Sequence, residues 1–262
     1  MNNQTKTALV TGATSGIGYE LANLLAEDHY MLVIAGRSSA DLNAAASAFE
    51  KKGSPSVTCI EKNLFEPGAA EELYNEVRAR GIEVNILVND AGQGVYGKFT
   101  ETDLQQELDI IQLNVASLVV LTKLFLKDMV QRGEGKILQL ASMVSKISSP
   151  LMAVYAGTKA FVYNSSMSLS NELKDTGVTI TALQPGPTDT DFFNKAGAEN
   201  TKMVKDGNLA DPADVAKDGY EAMMAGDSKV VSGAKNKFQA TMSNITPDET
   251  LAARMRNMNE EK

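Results

Sequence analysis

The chain has 262 residues, 43% hydrophobic and 22% charged, enough for one full-sized domain with a well-buried core. Its formal charge of −8, from 25 basic and 33 acidic residues, argues against nucleic-acid and anionic-membrane partners, which need a basic face. The lone Cys59 excludes an internal disulfide, residues 1–7 lack signal-peptide features, and no apolar run reads as a bilayer span, so a cytoplasmic location is expected.

Residues 7–10 read as a first strand, followed by a helix over 16–28. A second strand is expected at 31–35 and an alanine-rich helix ending near Gly53. Residues 57–60 form a third strand with Cys59 as a small core residue, and a helix over 67–80 starts with Pro67 in its first turn. Residues 85–88 give a fourth strand and 104–132 a long helix. Residues 136–140 follow as a strand, 153–174 as a helix, and 178–183 and 229–231 as the last two strands. Short continuous apolar strands between helices predict a single doubly wound Rossmann-type α/β domain over residues 1–262. Its parallel sheet would have about seven strands with helices on both faces, and ligands at the carboxyl ends of the strands. Two stretches fall outside this alternation. Residues 188–208 are polar with glycines and read as a lid over a site. Residues 234–262 read as a tail whose charged end, 257–262, is frayed.

The first strand runs into Gly12, with further glycines at 16 and 18, where the next helix begins. Such a turn lets backbone N–H groups approach a pyrophosphate at a helix N-terminus. The second strand ends at Gly36-Arg37-Ser38, where an acid would accept the ribose hydroxyl of NAD. Arg37 stands there instead and suits the 2′-phosphate of NADP(H). A charge-assisted bond of roughly 1.5–3 kcal/mol, about 10- to 150-fold in affinity, decides between the two.

Tyr155 and Lys159 lie one helical turn apart, just beyond Ser142 at the end of the fifth strand. A tyrosine is a poor proton donor to an alkoxide near neutrality unless a nearby ammonium stabilises its phenolate. Lys159 can supply that charge, and Ser142 can hydrogen-bond a carbonyl oxygen. The only histidine, His29, lies far from these residues and reads as a surface or packing residue, and no metal-ligating pattern is present.

Six motifs in order resemble the short-chain dehydrogenase/reductase family over nearly the whole chain. They are Thr11-Gly12-x-x-x-Gly16-Ile17-Gly18, Asn89-Asp90-Ala91-Gly92, Asn114, Ser142, Tyr155-x-x-x-Lys159 and Pro185-Gly186-x-x-x-Thr190. The resemblance implies that Tyr155 is the general acid in reduction and the base in oxidation. It implies that Lys159 binds the nicotinamide ribose and tunes Tyr155, that Ser142 orients the carbonyl, and that Asn114 holds a water linking Lys159 to solvent. It extends the cofactor set to Thr14, Ser15, Ile17, Asn63, Leu64, Asn89, Ala91 and Gly92, with Pro185, Gly186, Thr188 and Thr190 flanking the nicotinamide and its phosphates. The chain departs from the family in Asp90, usually asparagine, and in Asn63, usually an aspartate that touches the adenine. A charge at Asp90 near the sheet centre costs stability unless it is paired or protonated.

The substrate set falls in variable segments: Gln93, Val95 and Tyr96 after the fourth strand, Met143, Leu151 and Met152 between Ser142 and Tyr155, and Phe192, Phe193 and Met203 in the lid. These residues are mostly apolar and favour a hydrophobic ketone, aldehyde or 3-oxoacyl group over a sugar phosphate. The chain is similar to bacterial reductases of this family related to 3-ketoacyl and steroid reductases. The expected activity is NADPH-dependent carbonyl reduction. The rival readings are an NADP(H)-binding sensor or scaffold without turnover, and epimerisation or dehydration on the same scaffold. Analogy with the family predicts a homodimer or homotetramer through the long helices 104–132 and 153–174. The first of these carries more apolar surface (Leu118, Val119, Leu121, Leu124, Phe125) than one sheet-facing stripe requires.

Overall fold

The computed structural model describes residues 6–207, 209–243 and 245–262. The reading of residues 1–5 as lacking signal-peptide features, Asn208 at the end of the expected lid and Asn244 in the tail lie outside these residues. Seven strands form one parallel sheet: β1 (Thr7–Thr11), β2 (Met31–Gly36), β3 (Val57–Glu61), β4 (Ile86–Asn89), β5 (Gly135–Leu140), β6 (Val178–Gln184) and β7 (Lys229–Val231). Their order is β3-β2-β1-β4-β5-β6-β7. Val10 pairs with Ile34 of β2 on one side and Val88 of β4 on the other, so the strand order reverses at β1 and β4. That reversal opens a crevice at the carboxyl ends of β1 and β4, where such sheets bind ligands.

Helices cover both faces. One face carries α1 (Gly16–Glu27), α2 (Ser39–Lys52) and α9 (Pro212–Ala225), whose Leu21, Leu25, Leu42, Phe49, Val215 and Met223 pack on Val10, Ile34, Val88 and Leu138. The other carries α3 (Ala69–Ala79), α4 (Leu104–Ile111), α5 (Leu118–Arg132) and α6 (Ala153–Glu172). There Leu73, Leu113, Leu121, Phe125 and Met129 cover Leu9, Val33, Leu87 and Ile137. Helix α9 has no counterpart in the predicted elements, although Asp211 caps its start and Pro212 opens its first turn. Helix α3 begins at Ala69 after Gly68, two residues beyond the expected Pro67.

Helices α4 and α5 are continuous through a π-helical turn, Gln112–Ser117. The combined helix Leu104–Arg132 is long and apolar enough to cross a membrane, which corrects the sequence expectation of no such run. Its apolarity serves the sheet: Leu118, Leu121 and Phe125, expected as surplus surface, are buried in the core. The exposed large apolar residues on α4 and α5 are Leu104, Leu108, Ile111, Val119 and Val130, and Phe161 is exposed on α6.

After β6 come α7 (Phe192–Ala196) and α8 (Lys202–Asp206), and after β7 come α10 (Ala234–Ser243) and α11 (Asp248–Asn259). The tail is therefore helical, and its charged end is docked instead of frayed. The Lys202 amide donates to the Glu260 carbonyl at 2.9 Å and the Lys262 amide to the Asn200 carbonyl at 3.1 Å.

Candidate active site

Gly12 turns the chain out of β1 at φ +77°, a conformation that favours glycine. A Cβ at Gly18 would lie 2.4 Å from the Asp90 carboxylate and 2.5 Å from the Gly12 carbonyl, so only glycine lets α1 approach the turn this closely. Helix α1 starts with no side-chain cap at Ser15 and no acid in its first turn. Its leading N–H groups and positive dipole end therefore face the crevice available to an anion.

A cavity of about 800 Å³ opens at this turn. Thr14, Ser15, Gly16 and Ile17 line it from the first turn, Arg37 and Leu64 from the ends of β2 and β3, and Ala91 and Gly92 from the end of β4. Pro185, Gly186, Thr188 and Thr190 close it beyond β6. The Arg37 guanidinium is exposed and stacks 5.0 Å from the centroid of the Phe65 ring. Lys62, which the sequence reading did not single out, lines the same end and pairs with Glu72 at 3.1 Å.

Four expected cofactor residues stand off this lining: Lys159, which lies behind the cavity surface, and Gly18, Asn89 and Asn63. Gly18 is buried behind the turn. Asn89 is buried, its amide donating to Thr122 Oγ1 at 3.1 Å and Gln139 Oε1 at 3.0 Å within the sheet core. Asn63 lines a neighbouring cleft and folds on its own turn, donating to Glu66 at 2.9 Å.

Ser142 caps a 3₁₀ turn, Met143–Lys146, in a reciprocal arrangement. Its Oγ accepts from the Val144 amide at 3.3 Å, and its own amide donates to Ser145 Oγ at 3.1 Å. Tyr155 enters the cavity from the first turn of α6 and faces Ser142 there. Lys159 sits one turn on, 4% exposed, with Nζ donating to the Leu140 carbonyl at 2.7 Å. That bond ties α6 to the end of β5 and so sets Tyr155 opposite Ser142. Lys159 Nζ lies 5.8 Å from the Tyr155 ring centroid.

Electrostatically this pocket is dominated by burial. Desolvation pushes the Tyr155 phenol well above its ordinary value, the Ser142 hydrogen bond pulls it back, and Asp90 adds to the rise. Desolvation lowers Lys159 to about 8, against the attraction of Asp90. The lowering of Tyr155 expected from Lys159 does not emerge, and burial governs the phenol. Asp90 is partly buried, with Oδ1 out of reach of solvent, and its carboxyl is raised to about 7, by desolvation first, with Lys159 and the Gly18 amide pulling the other way.

Asn114 lies in the π-helical turn, a distortion frequent at functional sites. Its Oδ1 accepts from the Gln93 amide at 3.0 Å, while its amide donates to the Gln93 carbonyl at 2.9 Å and to Thr158 Oγ1 at 3.0 Å. It thereby pins the chain after β4 to α6 beside Lys159. Both Asn114 and Lys159 lie behind the cavity surface that Ser142 and Tyr155 present.

Gln93, Met143, Met152, Phe192, Phe193 and Met203 of the expected substrate set line the cavity. Phe192 packs on Tyr155 with ring centroids 5.0 Å apart. Val95 and Tyr96 do not line it. Val95 is buried, and the Tyr96 hydroxyl donates to the Asn259 carbonyl at 2.7 Å. Leu151, at φ +68°, sits in the loop before α6.

The sequence reading missed the wall made by α10 and α11. Phe238 and Met242 line the cavity from α10, and Leu251, Met255 and Met258 from α11. Their spacings of four, four and three residues place each set on one helical face, a signal present in the tail but masked by its charges.

Comparison with known proteins gives a consistent result. The sequence model of the short chain dehydrogenase family matches residues 6–201. A very-long-chain 3-oxoacyl-CoA reductase of Mycosarcoma maydis is 34% identical over 180 residues, 67% of this chain and 51% of that protein. The chain spans about half the length of the 3-oxoacyl-CoA reductases it matches. An uncharacterised oxidoreductase of Staphylococcus epidermidis is 30% identical over 209 residues, 79% of this chain and 88% of that one. Among solved structures, a short-chain dehydrogenase from Sphingobium yanoikuyae in complex with NADPH superimposes with a TM-score of 0.80 at 25% identity, covering 92% of this chain and 93% of that chain.

Proposed function

The chain belongs to the short-chain dehydrogenase family of oxidoreductases, and on that premise we propose that it is an NADPH-dependent reductase of apolar ketones, aldehydes or 3-oxoacyl groups. The observation that carries this reading is the convergence of the Ser142 and Tyr155 hydroxyls in one apolar cavity, with the buried Lys159 ammonium behind them.

The residues present fit a nicotinamide dinucleotide. The glycine cradle leaves no room for side chains, the start of α1 offers unclaimed N–H groups, and Arg37 supplies a cation for a 2′-phosphate. When bound, the reduced cofactor supplies hydride to the carbonyl carbon. Ser142 donates a hydrogen bond to the carbonyl oxygen, and Tyr155 gives its proton to that oxygen as alkoxide character develops. Lys159, lowered only to about 8, is mainly protonated at neutral pH and stabilises the phenolate left behind. Asn114 holds the Gln93 backbone and α6 in register around this trio. In oxidation the same groups run in reverse, with Tyr155 as base.

Residues 188–207 act as the lid, and a small-molecule carbonyl compound or its alcohol is the partner of the site. Cytoplasmic location is supported by the single cysteine and the packing of helix Leu104–Arg132 on the sheet. Exposed Leu104, Leu108, Ile111 and Val119 on α4 and α5, with Phe161 on α6, support a homo-oligomer through this face. The reading is tested by following loss of reduced-nicotinamide absorbance with NADPH across ketones, aldehydes and 3-oxoacyl thioesters, alongside the Tyr155→Phe variant. Turnover that Tyr155→Phe abolishes supports it, and undiminished turnover in that variant overturns it.

A further inference from the structure

The last residues of the chain hold together three segments that surround the catalytic cavity. The Asn259 side chain is 2% exposed. Its amide donates to Ser149 Oγ at 3.0 Å and to the Pro150 carbonyl at 2.7 Å, on the loop that runs from Ser142 to Tyr155. Its own carbonyl accepts from Tyr96, beyond β4, and the neighbouring Glu260 and Lys262 bond to the backbone of Lys202 and Asn200. The next residue on the catalytic loop, Leu151, is held at φ +68°, a left-handed conformation unfavourable for a bulky residue. Its carbonyl accepts from the Gly97 amide at 2.9 Å. Asn259 and Gly97 thus grip the loop on either side of its strained residue.

The helix that ends in Asn259 also supplies cavity wall. Leu251, Met255 and Met258 line it from α11, opposite Met152 and Met203, with Met242 and Phe238 alongside from α10. Six of the chain's twelve methionines line this one cavity. Methionine is flexible and polarisable, so a wall of this kind adapts to apolar ligands of varied outline. Met258 and Met242 remain 39% and 40% exposed, and Phe238 67%, which leaves apolar surface for a ligand to cover.

We propose that α10 and α11 form an outer chamber for the apolar body of a bulky carbonyl substrate, with Asn259 as the positioning residue that fastens this chamber to the catalytic loop. The inference rests on the reductase reading for the reacting end of the substrate, and it adds the size and polarity of the other end. A compact ketone reacts without filling the chamber, whereas a bicyclic or larger apolar ketone buries its rings against the methionines.

The test compares decalone with butanone, using NADPH, in the full-length protein. The wild type favours decalone in kcat/KM. Met258→Trp, a change at a partly exposed position, fills the chamber and lowers kcat/KM for decalone by about tenfold or more, with a several-fold smaller loss for butanone. Asn259→Asp keeps the size of the side chain but removes both donated hydrogen bonds, and it raises KM for decalone more than for butanone. Equal losses for both ketones, or no loss for either, overturn the chamber. Decalone binding is measured separately by calorimetry on the NADP-loaded protein. If the wild type reduces neither ketone, the reductase reading fails on these substrates, and binding still decides the chamber. Decalone binding weakened by Met258→Trp supports it, and binding that is absent or unaffected overturns it.

Discussion

At the amino-terminal end of the cavity the wall is largely backbone. Gly12 turns at φ +77°, Gly18 lies where a Cβ would strike the Gly12 carbonyl, and α1 presents its uncapped start. At the carboxyl-terminal end the wall is side chains: Phe192, Met203, Met255 and Met258, carried on short helices and held by hydrogen bonds from the last residues. A backbone site tolerates few residues at each position, so it is rigid and writes a fixed pattern into the sequence. A side-chain wall can be built in many ways, so it adapts to the ligand and leaves only a weak trace. The two ends should therefore respond differently to substitution, with large and general effects near the glycine turn and catalytic trio, and substrate-dependent ones under α11.

The largest effect belongs to the junction of the two ends. Tyr155→Phe should lower kcat by about 10²- to 10⁴-fold for every carbonyl substrate, the usual contribution of a general acid, while NADPH affinity measured by fluorescence changes little. A drop for one substrate only would place Tyr155 with the adaptable wall instead. Next is Gly18→Ala. The added methyl meets the Asp90 carboxylate and the Gly12 carbonyl, and backbone cannot retreat as a flexible side chain can. We expect a loss of about 1–3 kcal/mol in denaturant stability, with weaker cofactor binding and no change in substrate preference. An unaltered midpoint would show that α1 does not rest on the turn as closely as the geometry requires.

The difference between the ends also explains what could be read in the sequence. The alternation of strands such as Leu32-Val33-Ile34 with amphipathic helices, the glycines at 12, 16 and 18, and Ser142, Tyr155 and Lys159 are local patterns with one physical interpretation each, and the structure places Ser142, Tyr155 and Lys159 together. Asn63 and Asn89 show the limit of such reading. Both lie near the crevice, but their amides are taken up by Glu66 and by Thr122 and Gln139. The wall of α11 was not legible, because Leu251, Met255 and Met258 are spread among charged residues and reach the cavity through long-range bonds, those of Asn259, Glu260 and Lys262 among them. Helix α9 was legible in principle from Asp211-Pro212 and was missed beside the irregular segment that precedes it.

Arg37 offers a finer probe of the backbone end, since its side chain, like that of Lys62, lines the cavity there. Removing its charge in Arg37→Ala should weaken NADPH by about 10- to 150-fold, the worth of a charge-assisted hydrogen bond of roughly 1.5–3 kcal/mol, and leave NADH nearly unchanged. Lys62 lines the same end and limits the loss if it shares the phosphate. Equal weakening of both cofactors would mean that Arg37 supports the fold of the β2 end, through its stacking on Phe65, and does not select the phosphate.

The smallest expected effect, read per unit of pH, concerns Asp90, which lies where the two ends meet, against the glycine turn and within the field of Lys159 and Tyr155. Its carboxyl is raised from 3.8 to about 7 in the folded protein by burial. The folded state therefore holds a proton that the unfolded chain releases between these values, so the stability tied to protonated Asp90 is complete below about pH 4 and lost as pH rises to about 7. The slope is bounded at about 1.4 kcal/mol per pH unit for one proton. Asp90→Asn removes this window and should flatten the stability profile there, with no difference from wild type below it. Lys159, lowered from 10.5 to about 8, acts with the opposite sign above its folded value, where stability rises as the unfolded chain holds the extra proton. Urea unfolding across the range separates the two windows. If Asp90→Asn leaves the slope between pH 4 and 7 as it was, Asp90 is ionised beside Lys159 as a buried ion pair. The glycine turn would then rest on a charge instead of a neutral acid, and Asp90→Asn would destabilise the protein most at neutral pH.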